Sequence, residues 1–147
     1  MRNILIAVLF LSACAKPMAA EMTVDDYECM AMNVYHEARG ESWEGQAAVV
    51  HVTLNRVADH RFPDSICDVV WQDSQFSWTN DGRSDYPHDE EAWAIAQYIA
   101  VTAYDWWQRG EDFSEGATFY HAHWVSPYWA RQFQETVEIG VHTFYRR

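Results

Sequence analysis

Residues 23–57 read TVDDYECMAMNVYHEARGESWEGQAAVVHVTLNRV, and this stretch decides the fold. Thr23, with Asp26 three positions on, has the spacing of a helix N-cap and its reciprocal acid. Tyr27, Met30, Ala31, Val34, Tyr35 and Ala38 then recur at the period of one helical face. Gly40 is a good helix stop. The spacing predicts a first helix over Val24–Arg39, with Glu37 in its last turn. Ser42 caps a second helix and puts Glu44 near the positive end of its dipole. From Ala47 to Val57 that helix is apolar nearly all round, the mark of a central, buried helix. The two helices meet at a corner, and Glu37 sits at the bend.

Further along, Ser65–Trp71 reads as a short helix carrying Cys67, and Gln75–Trp78 as a short, extended aromatic segment. Thr79–His88 is polar, with Asp81-Gly82 and Pro87, and reads as a surface loop. Asp89 caps a third long helix with an apolar face from Ala92 to Trp107, ended by Gly110. Ala117–His121 and Val141–Tyr145 are β-branched and aromatic, hence strands. Between them Ser126-Pro127 opens a short helix through Phe133. Helices in the first two thirds and a small antiparallel sheet toward the C-terminus make one compact α+β domain over residues 21–147.

The chain has 147 residues, is 49% hydrophobic and carries a formal net charge of -12. That hydrophobic content excludes a disordered acidic tail. The charge argues against nucleic acid as a partner, because nucleic-acid binding needs a cationic surface. Eight Trp and eight Tyr are more than a core of this size needs, and flat rings suit a groove that stacks on sugars. Residues 1–20 read as a secretory signal with an apolar run too short to span a bilayer. Alternatively, Leu11-Ser12-Ala13-Cys14 resembles a lipobox, in which case residues 1–13 are removed and Cys14 carries a lipid anchor. Either route exports the chain, to the periplasm or beyond, into an oxidising compartment. Cys29 and Cys67 most simply pair there as a disulfide; two buried free thiols are the other reading.

His36-Glu37-Ala38-Arg39-Gly40-Glu41 is the densest polar cluster on an otherwise apolar helix. A zinc-protease reading fails, because the position four after His36 is Gly. A carboxyl at the end of a buried helix loses hydration, which raises its pKa and suits it to donate a proton to a leaving oxygen. The alternative for Glu37 is a structural ion pair with Arg39 or Arg56. His121 and His123 alternate on one strand, as a metal pair would, with His142 close if the strands pair. Lining a substrate groove is their other reading. Gln75, Phe76, Ser77 and Trp78 offer hydrogen bonds beside aromatic faces, and Trp124, Tyr128 and Trp129 are groove wall or core.

The ordered set Asn33-Val34-Tyr35-His36-Glu37-Ala38-Arg39-Gly40-Glu41-Ser42, Gly45–Val49 and Leu54–Val57 resembles the cell wall hydrolase family of SleB type, typified by spore-cortex-lytic enzymes. Phe62-Pro63, Gln75–Trp78, Tyr120-His121, Trp129 and Ile139–Tyr145 extend the resemblance over Glu28–Tyr145. It implies a lysozyme-like fold and peptidoglycan glycan strands as partner, cleaved by a monomer without a cofactor or metal. It implies Glu37 as the catalytic acid, working as in lytic transglycosylases. Candidate substrate-binding residues are Gln75, Phe76, Ser77, Trp78, Tyr120, His121 and His123. Glu41, Glu44 and Asp81 are candidates for a second carboxylate if the reaction is hydrolysis. A wall-binding module without activity and a metal-dependent amidase using His121 and His123 are the competing functions.

Overall fold

The structure is a computed structural model, and it describes residues 22–147. The stretch expected to be a secretory or lipoprotein signal, with Cys14, lies outside the described residues. The main helices are α1 (Val24–Ala38), α2 (Trp43–Ala58), α3 (Ile66–Val70) and α4 (Glu90–Gln108). The strands are β1 (Phe119–Ala122), β2 (Gln134–Ile139) and β3 (His142–Arg146). They form one antiparallel sheet in the order β1-β3-β2.

The caps that start the long helices are those the sequence offers. Thr23 and Asp26 close a reciprocal capping box on α1. The Ser42 hydroxyl accepts from Gly45 N–H at 3.2 Å, and the Asp89 carboxylate from Ala92 N–H at 3.0 Å. Each such cap satisfies an amide that the helix itself leaves orphaned, worth about 1 kcal/mol. α1 ends one residue before the predicted Arg39, whose backbone is extended, and Gly40 turns the chain at φ +88°.

α1, α2 and α4 share one core, with Met30, Val34, Val50, Leu54, Ile99 and Ala103 buried together. A second cluster seats the sheet on α2, where Phe144 of β3 packs against Ala48 and Val52. Truncating a fully buried Phe to Ala costs about 3–5 kcal/mol, so Phe144 holds the sheet to the helices. The Cys29–Cys67 disulfide forms, with Cα atoms 5.4 Å apart, and ties α1 to α3. Closing a loop of this size is worth ~3–4 kcal/mol. None of the described helices is long and apolar enough to cross a membrane.

The structure corrects three of the predicted elements and adds a fourth. Gln75–Trp78 is not extended; it turns into a 3-10 helix over Ser77–Asn80, so that Phe76 and Trp78 both enter a third core cluster. The predicted helix through Phe133 is a single 3-10 turn, Tyr128–Arg131. The chain then forms β2, which was not foreseen. β1 ends at Ala122, so the strand is displaced toward the C-terminus of the predicted Ala117–His121. The β2–β3 turn relies on Gly140 at φ +59°, and Val141 N–H there donates to the Glu41 carboxylate at 3.1 Å. A Cβ on residue 140 would collide with that carboxylate.

Candidate active site

A cleft of about 330 Å³ opens between the end of α1, the Gln75–Ser77 segment, β1 and the connection that follows it. Glu37 lines it, and among the described residues lining it Glu37 is the one acid. The Tyr120 hydroxyl on β1 donates to Glu37 Oε2 at 3.0 Å. Burial pushes the Glu37 carboxyl above its ordinary value; the Tyr120 hydrogen bond and the positive charge of Arg56 pull it back only in part. Burial likewise holds the Tyr120 hydroxyl well above the usual tyrosine range, so it stays a hydrogen-bond donor.

Arg56 reaches the cleft from the buried side of α2. Its Nε donates to Thr118 O at 2.7 Å. The guanidinium carbon lies 5.4, 5.2 and 5.7 Å from the ring centres of Phe62, Phe76 and Phe119. Arg56 and Glu37 are not among the described ion pairs, and Arg39 spreads over the Tyr35 ring at 4.8 Å. Among the described ion pairs, none involves Glu37. The structural ion pair offered as the alternative for Glu37 is therefore not formed.

Of the sequence-predicted binding residues, Gln75, Phe76, Ser77, Tyr120 and His121 line this cleft together. Trp78 does not: it is buried, its Nε1 donates to Asn33 Oδ1 at 3.2 Å, and its ring stacks on His36 at 4.4 Å. It faces a separate basin of about 650 Å³ beneath the 81–89 loop. His123 does not line the cleft either, because β1 ends before it and leaves it exposed. The metal pair, the alternative reading of His121 and His123, is not assembled among the described residues. His121 Nδ1 lies 2.9 Å from Ala122 O and Nε2 lies 3.1 Å from the Tyr145 hydroxyl, so both nitrogens have partners. The register places His142 opposite Ala122, on the other face of the sheet from His121. His142 packs edge-on against Tyr120 instead.

The candidate second carboxylates lie elsewhere. Glu41 is occupied by the β2–β3 turn, Glu44 stays in the first turn of α2, and Asp81 accepts from Arg83 N–H at 2.8 Å in the neighbouring loop. Sequence reasoning did not foresee Val125 and Pro127 as cleft wall. Pro127 was visible only as a helix opener. Arg56 was visible as a lone cation on an apolar helix, a signal that a buried charge is being kept for a reason.

The Cell Wall Hydrolase family profile matches residues 40–145, a span that begins just after Glu37. The chain belongs to the Cell Wall Hydrolase family. A spore cortex-lytic enzyme of Halalkalibacterium halodurans is 34% identical to it over 126 residues, which are 82% of this chain and 34% of that protein. The spore cortex-lytic enzyme of Bacillus subtilis is 30% identical over 132 residues, 90% of this chain and 41% of that protein. The chain thus spans well under half the length of these relatives. The solved catalytic domain of the germination-specific lytic transglycosylase SleB from Bacillus anthracis superposes with a TM-score of 0.73 at 28% identity. It covers 88% of this chain and 100% of that domain. The catalytic domain of the Bacillus cereus SleB protein gives the same score over 86% of this chain. The α+β, lysozyme-like fold expected of the family is the fold observed.

Proposed function

We propose that this chain is an exported enzyme that cuts the glycan strand of peptidoglycan between N-acetylmuramic acid and N-acetylglucosamine, with Glu37 as its catalytic acid. The observation that carries the reading is a half-buried carboxyl held above its ordinary value, the one acid among the described residues that line the cleft. A carboxyl of that kind keeps its proton near neutral pH and can deliver it to a bridging oxygen. Glycosidases that activate water use two carboxyls about 5–9 Å apart. The cleft supplies one, which favours the transglycosylase course.

In that course the Glu37 proton goes to the glycosidic oxygen and the bond from that oxygen to the muramic C1 breaks. The Glu37 carboxylate then takes the proton of the muramic 6-hydroxyl, whose oxygen bonds to C1 and closes a 1,6-anhydro ring. No water enters. Gln75, Ser77 and His121 supply polar groups along the wall, and Phe76 and Trp129 supply rings for the sugar faces. Export rests on residues 1–20 or on a lipid at Cys14, and the disulfide fits an oxidising destination.

Digestion of purified sacculi tests the reading. The expected products are anhydro-muropeptides, ~18 Da lighter than hydrolysed ones because no water is added. Reducing ends would assign hydrolysis. Binding to sacculi without soluble products would assign a wall-binding module, and activity lost to chelator and restored by zinc would assign a metal-dependent amidase.

A further inference from the structure

Arg56 is a buried cation that the fold only half satisfies. The residue is 4% exposed, three aromatic rings surround its guanidinium, and Nε is its one hydrogen-bonded nitrogen with a described acceptor. Nη1 is buried with no hydrogen-bond partner among the described residues. Leaving a guanidinium dry and without a counter-charge costs several kcal/mol, and a Met or Leu of similar reach would fill the same aromatic cage without that cost. The carboxyl that shares its cleft is Glu37, which is uncharged while it holds its proton.

We propose that Arg56 is a positioning residue that receives the negative charge formed on Glu37 when the proton leaves. Before the step, the cleft holds one uncompensated cation. After it, a cation and an anion line the same poorly hydrated cleft, and even without direct contact their attraction is stronger there than in water. The cost is borne in the resting state and recovered as the carboxylate develops, which is how preorganised electrostatics accelerate a step. Burial lowers the Arg56 pKa from its ordinary value, and an ionised Glu37 carboxylate favours the charged guanidinium. The titratable or charged groups facing Glu37 are Arg56 from α2 and Tyr120 and His121 from β1; the Gln75–Ser77 segment and the connection after β1 add none.

The inference rests on Glu37 being the acid, and its tests separate the two ideas. In R56M, kcat on sacculi falls by about 10²–10³-fold, and the alkaline limb of the pH profile moves to higher pH, because Glu37 loses the charge that favours its ionised form. In R56K the charge persists, so the limb stays in place and the loss of rate is smaller. A purely structural role predicts loss of the fold with no movement of the limb. A folded R56M with the wild-type limb, or an R56K limb that moves as far as that of R56M, overturns the proposal.

If R56M does not fold, nitrogen-15 NMR of the arginine Nη atoms in the intact protein decides. The Arg56 signals step with the same midpoint as the Glu37 carboxyl in wild type and stay flat in E37Q. Flat signals in wild type overturn the proposal. This readout needs no substrate, so it stands even if sacculi yield no products and the catalytic reading itself fails.

Discussion

Asp112 and Glu37 are both partly buried carboxyls in one small domain, and their surroundings treat them in opposite ways. Asp112 lies in the turn after α4. It accepts from Asn55 Nδ2 at 2.8 Å, from Ser114 N–H and Oγ at 2.8 and 2.6 Å, and from Gly116 N–H at 2.8 Å. The His51 ring is 3.4 Å away, its Nδ1 accepting Phe113 N–H and its Nε2 beside Ala103 O. Burial works to raise the Asp112 carboxyl, but the hydrogen bonds it accepts from Ser114, Asn55 and Gly116 outweigh it and hold it well below the usual carboxylate range. Glu37 accepts from the Tyr120 hydroxyl alone among the described residues, and stays above its ordinary value. Asn55 and Arg56 are neighbours on α2, yet one completes the first site and the other leaves the second incomplete. A carboxyl given every donor it can use is part of the scaffold; one left short of donors keeps its proton for chemistry.

Exchanging the roles should break that contrast most visibly at Glu37. E37Q is expected to lower the cleavage rate by about 10³-fold, within the range for a general acid, as measured by product release from sacculi. Its stability should not fall. A folded-state pKa above the unfolded one makes ionised Glu37 a burden that grows as pH rises through the folded value. E37Q should therefore melt at or above the wild-type temperature at neutral and alkaline pH, and with no advantage below about pH 4.

Asp112 should behave in reverse. D112A is expected to cost about 3 kcal/mol in a urea melt, from the loss of several hydrogen bonds to a charged acceptor, while the activity of the folded fraction is kept. The sign with pH also inverts. A depressed carboxyl contributes its stability above the unfolded value of about 4 and loses it as pH falls toward the folded value. The deficit of D112A against wild type should thus shrink on acidification below about pH 4.

The smallest change sharpens the comparison without removing an acid. Y120F takes away the one donor described for Glu37, worth about a tenfold loss in rate. Without that bond the carboxyl is a weaker acid, so the alkaline limb of the pH profile should move to higher pH. An unmoved limb would mean the Tyr120 hydrogen bond does not bear on the acid.

The helical part of this molecule is legible because its signals are local. Thr23, Ser42 and Asp89 announce their helices by what they do to the next three amides, and the apolar face of α1 is visible in its spacing. β2 was not legible because Gln134–Ile139 is an edge strand, half exposed and rich in polar residues, whose pairing depends on β3. Only the hairpin glycine, Gly140, hints at it. At the site, Glu37 stands out as a carboxyl on an apolar helix. Trp78 was misplaced because an aromatic residue reads the same whether it meets a sugar or fills a core; the Asn33 and His36 contacts that bury it come from tertiary structure. That no second acid is described opposite Glu37 was also a matter of folding, since Glu41 is four residues away along the chain yet is bound to a turn far along it.

Carbon-13 titration of the side-chain carboxyls in the intact protein is the most direct test of the central claim. Glu37 should titrate above the ordinary glutamate range, with a midpoint that matches the alkaline fall in cleavage rate, while Asp112 remains ionised to the most acidic pH at which the fold survives. A Glu37 midpoint at or below that of an exposed glutamate would contradict the account, because the acid would then have lost its proton before any glycosidic oxygen could receive it.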